Sequence, residues 1–373
     1  MKKVLPFSTS SLVSVGVELE LQIIDNQSYG LISRSKELIR NLNEGICQNR
    51  VKPEITQSMI ELNSSVHENI NTVLTELYEL QSFLVEQTSK FDISFCGGGT
   101  HLFQKWSSQK VFPAKRYKKL AHRFGYLTKR ATVFGQHVHL GCLNGEDAVY
   151  LTHALARYIP QLIAISSASP FYQGKDSGFS SARVNIFNSF PMSGVIPMLK
   201  NWQEFSDYYY KMKEWGIIES MKDIYWDVRP KPEFGTVEVR IFDTPLTIKK
   251  SVMLAAYLQA LALYLIKEKP FKLTDDLYYL YPHIRFEASR YGYDGEFINP
   301  ENSNKTTIFD DLLTTIANIE PYFKELGSME YFNLLKEDAL NKRNDSVIIR
   351  EYYAQTGSLQ EVVSELCKLW LSH

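Results

Sequence analysis

A chain of 373 residues, at roughly 150 residues per domain, is long enough to bury a sizeable core, and its 44% hydrophobic and 22% charged content excludes a disordered chain. Its 41 Lys and Arg nearly cancel 42 Asp and Glu, which leaves a formal charge of -1 and no broad basic field, so neither nucleic acid nor an anionic membrane is expected as a partner. A small-molecule ligand is the expectation that remains.

The chain opens Met1-Lys2-Lys3-Val4-Leu5-Pro6-Phe7, where Pro6 and then Ser8, Thr9, Ser10 and Ser11 end any apolar run before signal-peptide length, so a cytoplasmic protein is expected. Alternation over Val15 to Ile24 predicts a strand with Val15, Val17, Leu19, Leu21 and Ile23 on one side and Glu18, Glu20 and Gln22 on the other. Apolar spacing predicts a helix around Ser35 to Leu42 and another from His67 to Phe91. Between them Ile55 to Leu62 reads as a strand, with Gln57 and Glu61 on a common face if it stays extended. The run Cys96-Gly97-Gly98-Gly99-Thr100-His101 reads as a tight turn or as a substrate loop; it lacks the lysine and helix start of a phosphate cradle.

Val133 to Cys142 predicts a strand on which His137 and His139 share a face, flanked by Gly135 and Gly141, small enough to let a ligand or backbone approach. A helix is expected from Glu146 to Ala168. Thr236 to Asp243 alternates again, with Val237, Val239 and Ile241 towards the core and Glu238 with Arg240 opposite. The helix from Leu246 to Ile266 has its most apolar part at Val252 to Ile266, which contains Gln259 and falls short of the roughly 20 residues of a bilayer span, so it reads as a buried helix. The end, from about Thr307 to Leu371, is mostly helical. The fold class is therefore α+β, a largely antiparallel sheet covered by helices, in a single catalytic domain over residues 1–373 with a helical part at about 307–373.

Cys47, Cys96, Cys142 and Cys367 are scattered without C-x-x-C spacing, which argues against a disulfide scaffold or a zinc ribbon. No P-loop and no dinucleotide-binding glycine motif occurs, and no Ser or Cys nucleophile with a partnered base is evident. Four strands offering metal-competent or anion-binding groups from one face are hard to explain as a solvated surface, where Lys, Thr and Ser would be expected. Carboxylates with at most one imidazole form a hard set that suits magnesium or manganese. Arg183, Arg229 and Arg240 lie near these strands and can neutralise phosphate or hold a carboxylate bidentately. The aromatic runs Tyr208-Tyr209-Tyr210 and Tyr291 to Tyr293 can line a core or groove or stack on a base.

The motifs Val15-Gly16-Val17-Glu18-Leu19-Glu20, Glu61-Leu62, Gly99-Thr100-His101, Phe134-Gly135-Gln136-His137-Val138-His139, Arg183-Val184-Asn185-Ile186-Phe187, Trp226-Asp227-Val228-Arg229-Pro230 and Gly235-Thr236-Val237-Glu238-Val239-Arg240 together resemble the carboxylate-amine ligases called glutamate-cysteine ligase type 2. The resemblance runs from about Val15 to Leu371. It implies a glutamine synthetase-like fold, a curved antiparallel sheet with helices on its outer face, whose concave side holds ATP, magnesium (or manganese) and an acidic amino-acid substrate. It implies metal binding by Glu18, Glu20, Glu61, His137 and Glu238, with Arg229 and Arg240 as catalytic groups near the phosphates or the acyl group. His139 and Arg229 would contact the nucleotide; Arg183, Thr100 and His101 would contact substrate. Leu102 and Gln104 stand where relatives are expected to have Pro and Ala, which bears on substrate choice. A homodimer is also implied.

The activity expected is an ATP-dependent ligation of a carboxylate, such as glutamate, to an amine, such as cysteine, through an acyl phosphate. Three alternatives share some of these features. A phosphagen-type guanidino kinase would form no amide, a metal-dependent amidohydrolase would use His137 and His139 on zinc, and a non-catalytic nucleotide sensor would bind ATP without turnover.

Overall fold

The apolar side of the first strand, β1 (Val15–Asp25), is fully buried, and this strand forms the middle of the sheet. In this computed structural model, which describes residues 3–42, 48–270, 272 and 274–372, β1 pairs with three neighbours; Met1, Lys2 and Cys47, named above, lie outside the described residues. The other strands are β2 (Val51–Pro53), β3 (Met59–Asn63), β4 (Ile93–Cys96), β5 (Gly135–Gly141), β6 (Val228–Lys231) and β7 (Thr236–Asp243). They form a seven-stranded sheet in the order β6-β7-β5-β1-β3-β2, with β4 paired to the second half of β1, and every pairing is antiparallel. The fold is α+β, as the sequence predicts.

One side of this sheet is greasy and the other is charged. The greasy side meets the helices Ile70–Thr88, Gly145–Ala156, Ile159–Ser166 and Ile248–Glu268. Helix Ile248–Glu268, at 21 residues, is longer than its expected apolar part and by length and composition alone could cross a membrane. It is instead covered by other elements over most of its length, and its Gln259 donates to the carbonyls of Val13 (3.0 Å) and Glu68 (2.9 Å). A polar amide answered inside the fold belongs to a core helix. The expected helical end consists of Ile308–Glu325, Met329–Leu340, Asp345–Thr356 and Leu359–Trp370. The first two pack on Ile248–Glu268, and the last covers β4.

Three expectations about the elements change. The helix predicted from Glu146 to Ala168 is two helices, Gly145–Ala156 and Ile159–Ser166, because Pro160 has no N–H to give Ala156 and its ring would clash with that carbonyl. The strand predicted from Ile55 to Leu62 begins only at Met59. Upstream of it Thr56 bridges to Val111, and Gln57 sits in a turn with its side chain donating to Val111 O at 3.2 Å, so Gln57 does not share a strand face with Glu61. Finally, β7 contains a bulge between Val239 and Phe242, which turns both Ile241 and Phe242 into the core. Of the predicted cysteines, Cys96, Cys142 and Cys367 are buried and free.

Candidate active site

Strand register brings the charged residues into one patch. On the polar side Glu18 lies opposite His137, Glu20 opposite Glu61, His139 opposite Glu238, and Glu238 opposite Arg229. Directly opposed residues have side chains close enough to bond, so five separate segments converge without any long loop. The residues line one cavity of about 280 Å³.

His137 is the hub. Its Nδ1 is 3.2 Å from Glu18 Oε2 and 3.9 Å from Glu238 Oε1, and its Nε2 is 3.8 Å from Glu20 Oε1. His139 stands further along, with Nε2 3.5 Å from Glu18 Oε1 and Nδ1 bonded to Thr236 Oγ1 at 3.0 Å. Two triplets, Glu18, His137, Glu238 and Glu20, Glu61, His137, each offer donor atoms that all lie within 4.8 Å of one another. Such an oxygen-rich set with one imidazole fits a hard divalent cation.

The ionisation of these groups follows from burial against partner charge. Burial alone would raise Glu18, but hydrogen bonds from His137 and His139 hold it well below the usual carboxylate range. Glu238 is likewise held well below it, burial being outweighed by Arg229 and Arg240. Glu20 is raised by burial, which Arg183 only partly offsets. Glu61 is raised by burial and then by the like charge of Glu18. His137 is lowered by burial and then by Arg240, so the neutral imidazole that can donate a lone pair is favoured. Carboxylates pushed apart in this way, within one cleft, mark a candidate functional site.

Three arginines border the carboxylates. Arg229 donates from Nε and Nη2 to Glu238 at 2.7 and 3.1 Å, and Arg240 donates to the same carboxylate. Arg183 comes from the helix Ala182–Phe187 and donates to the carbonyls of Ile241 (3.2 Å) and Arg240 (3.3 Å). The Nε atoms of Arg183 and Arg240 are buried without a hydrogen-bond partner, although both residues line the cavity. Unanswered buried donors are costly, and the fold carries two of them beside the cleft.

Thr100 and His101 occupy a different place from the substrate contact expected for them. Thr100 Oγ1 donates to Phe171 O at 2.7 Å, while His101 donates from Nε2 to Tyr29 O and accepts at Nδ1 from the backbone of Phe103 and Gln104. Their polar groups are consumed inside the fold, and neither lines the cavity. The glycine run, read as a tight turn or as a substrate loop, is irregular backbone whose Gly98 and Gly99 N–H groups donate to Thr244 O and Ala168 O at 2.8 and 2.9 Å. Gly98 has φ 95°, and a methyl on Gly97 would lie 1.9 Å from Pro245 O.

Other lining residues escaped the sequence reading: Lys52, Glu54, Arg116, Lys222, Lys231 and Phe234. Lys231 had a signal, since Val228-Arg229-Pro230-Lys231 alternates and places Lys231 beside Arg229 on one face. Pro230 obscures that strand, because a residue without N–H suits only an edge, which is where β6 lies. Asp243 was likewise unassigned. It is buried and accepts from Ala168 N, Ser169 Oγ and Ser181 Oγ, at 2.7 to 3.0 Å, anchoring the segment that leads to Arg183.

The sequence pattern defining glutamate-cysteine ligase family 2 matches residues 14–365. A protein of Legionella pneumophila (strain Corby) named "Putative glutamate-cysteine ligase 2-1" is 57% identical over 370 residues, covering 99% of this chain and 97% of that one. One of the same kind from Herminiimonas arsenicoxydans is 42% identical over 368 residues, covering 99% and 100%. Among solved structures, the glutamate-cysteine ligase of Francisella tularensis in complex with AMP superposes with a TM-score of 0.72 at 14% identity, over 98% of this chain and 91% of that one. A bifunctional glutathione synthetase from Pasteurella multocida gives 0.69 at 13% identity, over 96% and 52%. Antiparallel sheet, charged cleft and near full-length identity agree, and the chain belongs to glutamate-cysteine ligase family 2, a family of ATP-dependent carboxylate-amine ligases.

Proposed function

We propose that this protein joins the carboxylate of glutamate to the amine of cysteine, using ATP and magnesium and passing through an acyl phosphate. The observation that carries the reading is the meeting, in one cleft, of a cross-strand carboxylate and imidazole set with three arginines, two of which keep buried donors unanswered. In the first step a carboxylate oxygen of the acid attacks the γ-phosphorus and ADP leaves. In the second the amine attacks the acyl carbon, phosphate leaves, and the amine loses a proton.

A magnesium ion, for which Glu18, His137 and Glu238 or Glu20, Glu61 and His137 are the proposed ligands, neutralises triphosphate charge when bound. The chain's own part is positioning and charge. Arg240, fixed by Glu238, points a rigid cation at the transferring phosphoryl group, where charge accumulates. Arg229 is held by Glu238 and by Met221 O at 3.0 Å, so it presents its charge without reorganising. Arg183 is the proposed clamp for the substrate carboxylate. His139, beyond the main cluster, serves the nucleotide.

The test is ADP release measured over pairs of amino acids as acid and amine. Release that requires both members, with glutamate and cysteine as the best pair, supports the reading; release with one member alone points to a kinase or a simple ATPase. Glu18→Gln should abolish release while the protein stays folded.

A further inference from the structure

The balanced formal charge conceals an uneven distribution. Between Asp92 and Glu146 the sequence has no Asp or Glu at all, yet nine Lys and Arg fall between Lys105 and Arg130. Among the described residues only one of the nine, Lys119, forms an ion pair with a carboxylate, that of Glu219 at 3.1 Å. Most of the cations come from three short pieces: the single turn Trp106–Ser108 with Lys105 before it, the helix Lys115–Phe124 and the helix Tyr126–Arg130. The last of these packs on the other two, and its Lys129 Nζ donates to Ser107 O at 3.3 Å. The charges therefore gather on one face, of which only Arg116 lines the cavity.

Local stability does not explain this face. The first turn of helix Lys115–Phe124 holds Lys115 and Arg116 and no acid, and Ala114 at its cap offers no side-chain acceptor. Cations at that end oppose the helix dipole, where Asp or Glu would be favoured. The helix also has no apolar side left for a lipid surface. Its Tyr117 is buried with the hydroxyl bonded to Pro53 O at 2.7 Å, and its Phe124 meets the ring of Phe190 at 5.4 Å. What the face offers besides charge is an aromatic pair. Tyr126 is 57% exposed, with its ring 5.7 Å from that of Trp106 and the Arg130 guanidinium 5.8 Å from its centroid. An acidic protein would call only for the charges. Cations that follow a phosphate backbone, together with rings on which bases stack, are the two parts of a single-strand binding surface.

We infer that this face binds single-stranded RNA, with phosphates along the cations of helix Lys115–Phe124 and an unpaired base stacked on Tyr126 beside Trp106. Splayed, unpaired bases are the commonest handle by which proteins recognise RNA. The near-zero net charge gave no sign of such a partner, because a total does not report where the charges stand. The inference goes beyond the ligase reading and does not depend on it.

The experiment uses the full chain and a fluorescein-labelled oligouridylate of about twelve nucleotides, read by anisotropy. Binding should fall in the range of roughly 1–100 µM near physiological salt, and log affinity should drop against log salt by about 0.7 for each phosphate neutralised. Tyr126→Ala should weaken binding by roughly 5- to 150-fold, and Tyr126→Phe should restore it. Lys118→Glu should weaken binding and make the salt dependence shallower. The same change of charge in Lys336→Glu, on the exposed side of helix Met329–Leu340 behind the sheet, should do neither. None of these three positions lines the cavity, so all the variants should keep the circular dichroism and ADP release of the wild type. No binding by the wild type at low salt, an indifferent Tyr126→Ala, full displacement of the RNA by ATP at its KM, or equal affinity for polyglutamate or for vesicles of anionic phospholipid would overturn the inference.

Discussion

Replacing Glu238 by glutamine keeps the shape of the side chain and removes the charge from a carboxylate only 2% exposed and gripped by two arginines. Arg229 gives it two bonds and Arg240 a third, and Arg229 is also tied to Met221 O, so it cannot swing out to water. Glutamine keeps one oxygen for a guanidinium but turns an NH₂ group towards another. Removing one partner from a buried ion pair costs about 3–5 kcal/mol, because the charge left behind is uncompensated. Glu18 is the informative contrast. Its side chain is 20% exposed and its partners are two histidines rather than two guanidinium groups, so Glu18→Gln should cost about 1 kcal/mol. Urea unfolding followed by circular dichroism should separate the two variants, although both should lose ADP release. A Glu238→Gln protein within about 1 kcal/mol of wild type would refute the view that Glu238 balances two buried arginines.

Stability should also depend on pH through two histidines outside the cleft. Burial lowers His101 and His153 to about 4. Each is ordinarily near 6.5 in an unfolded chain, so below that pH the unfolded state binds more protons. Their contribution is intact above about 6.5 and is lost as pH falls towards 4, at about 1.4 kcal/mol per pH unit for each. Urea midpoints at pH 7.5 and 5.5 should show the loss and His153→Gln should reduce it; a flat profile would contradict it. Two glycines offer a paired test, since a methyl on either would lie 1.9 Å from its nearest neighbour. Gly97→Ala meets the backbone carbonyl of Pro245, which cannot yield, and should lower the melting temperature sharply. Gly135→Ala meets the far end of Arg183, so it should leave the fold standing and raise KM for the acid; equal loss of stability in both would count against the role given to Arg183.

What the sequence disclosed was whatever is written with a short period. The alternation in β1 and β7 placed Glu18, Glu20, Glu238 and Arg240 on one face, and the His-x-His spacing placed His137 with His139. Strand register, which no single segment contains, decided which of these meet. The residues that went unseen come from places without a period. Lys52 is the middle of a three-residue strand and Glu54 lies just beyond it, Lys222 sits in a single helical turn, and Phe234 in a tight turn. Arg116 lies in the helix Lys115–Phe124, whose only buried residue is Tyr117, so no apolar stripe announces it. Thr100 and His101 erred the other way, because a motif tells which residue types recur but not whether their hydrogen bonds are already used.

The central place of β1 bears on how the chain is made. Its partner β3 follows soon after, but β5 begins about 110 residues beyond the end of β1, and β7 still later. At a synthesis rate of roughly 5–20 residues per second, the first half of β1 waits on the order of ten seconds with one edge unpaired. During that time Glu18, Glu20 and Glu61 stand together without Arg183, Arg229 or Arg240, all of which are translated later. Arrival of the last hairpin therefore does two things at once, covering the free edge of β5 and bringing Arg229 and Arg240 to offset the repulsion among the acids. A ribosome stalled before Val228 would hold a chain that is both sticky at an edge and over-charged at its centre, the kind of intermediate that calls for a chaperone.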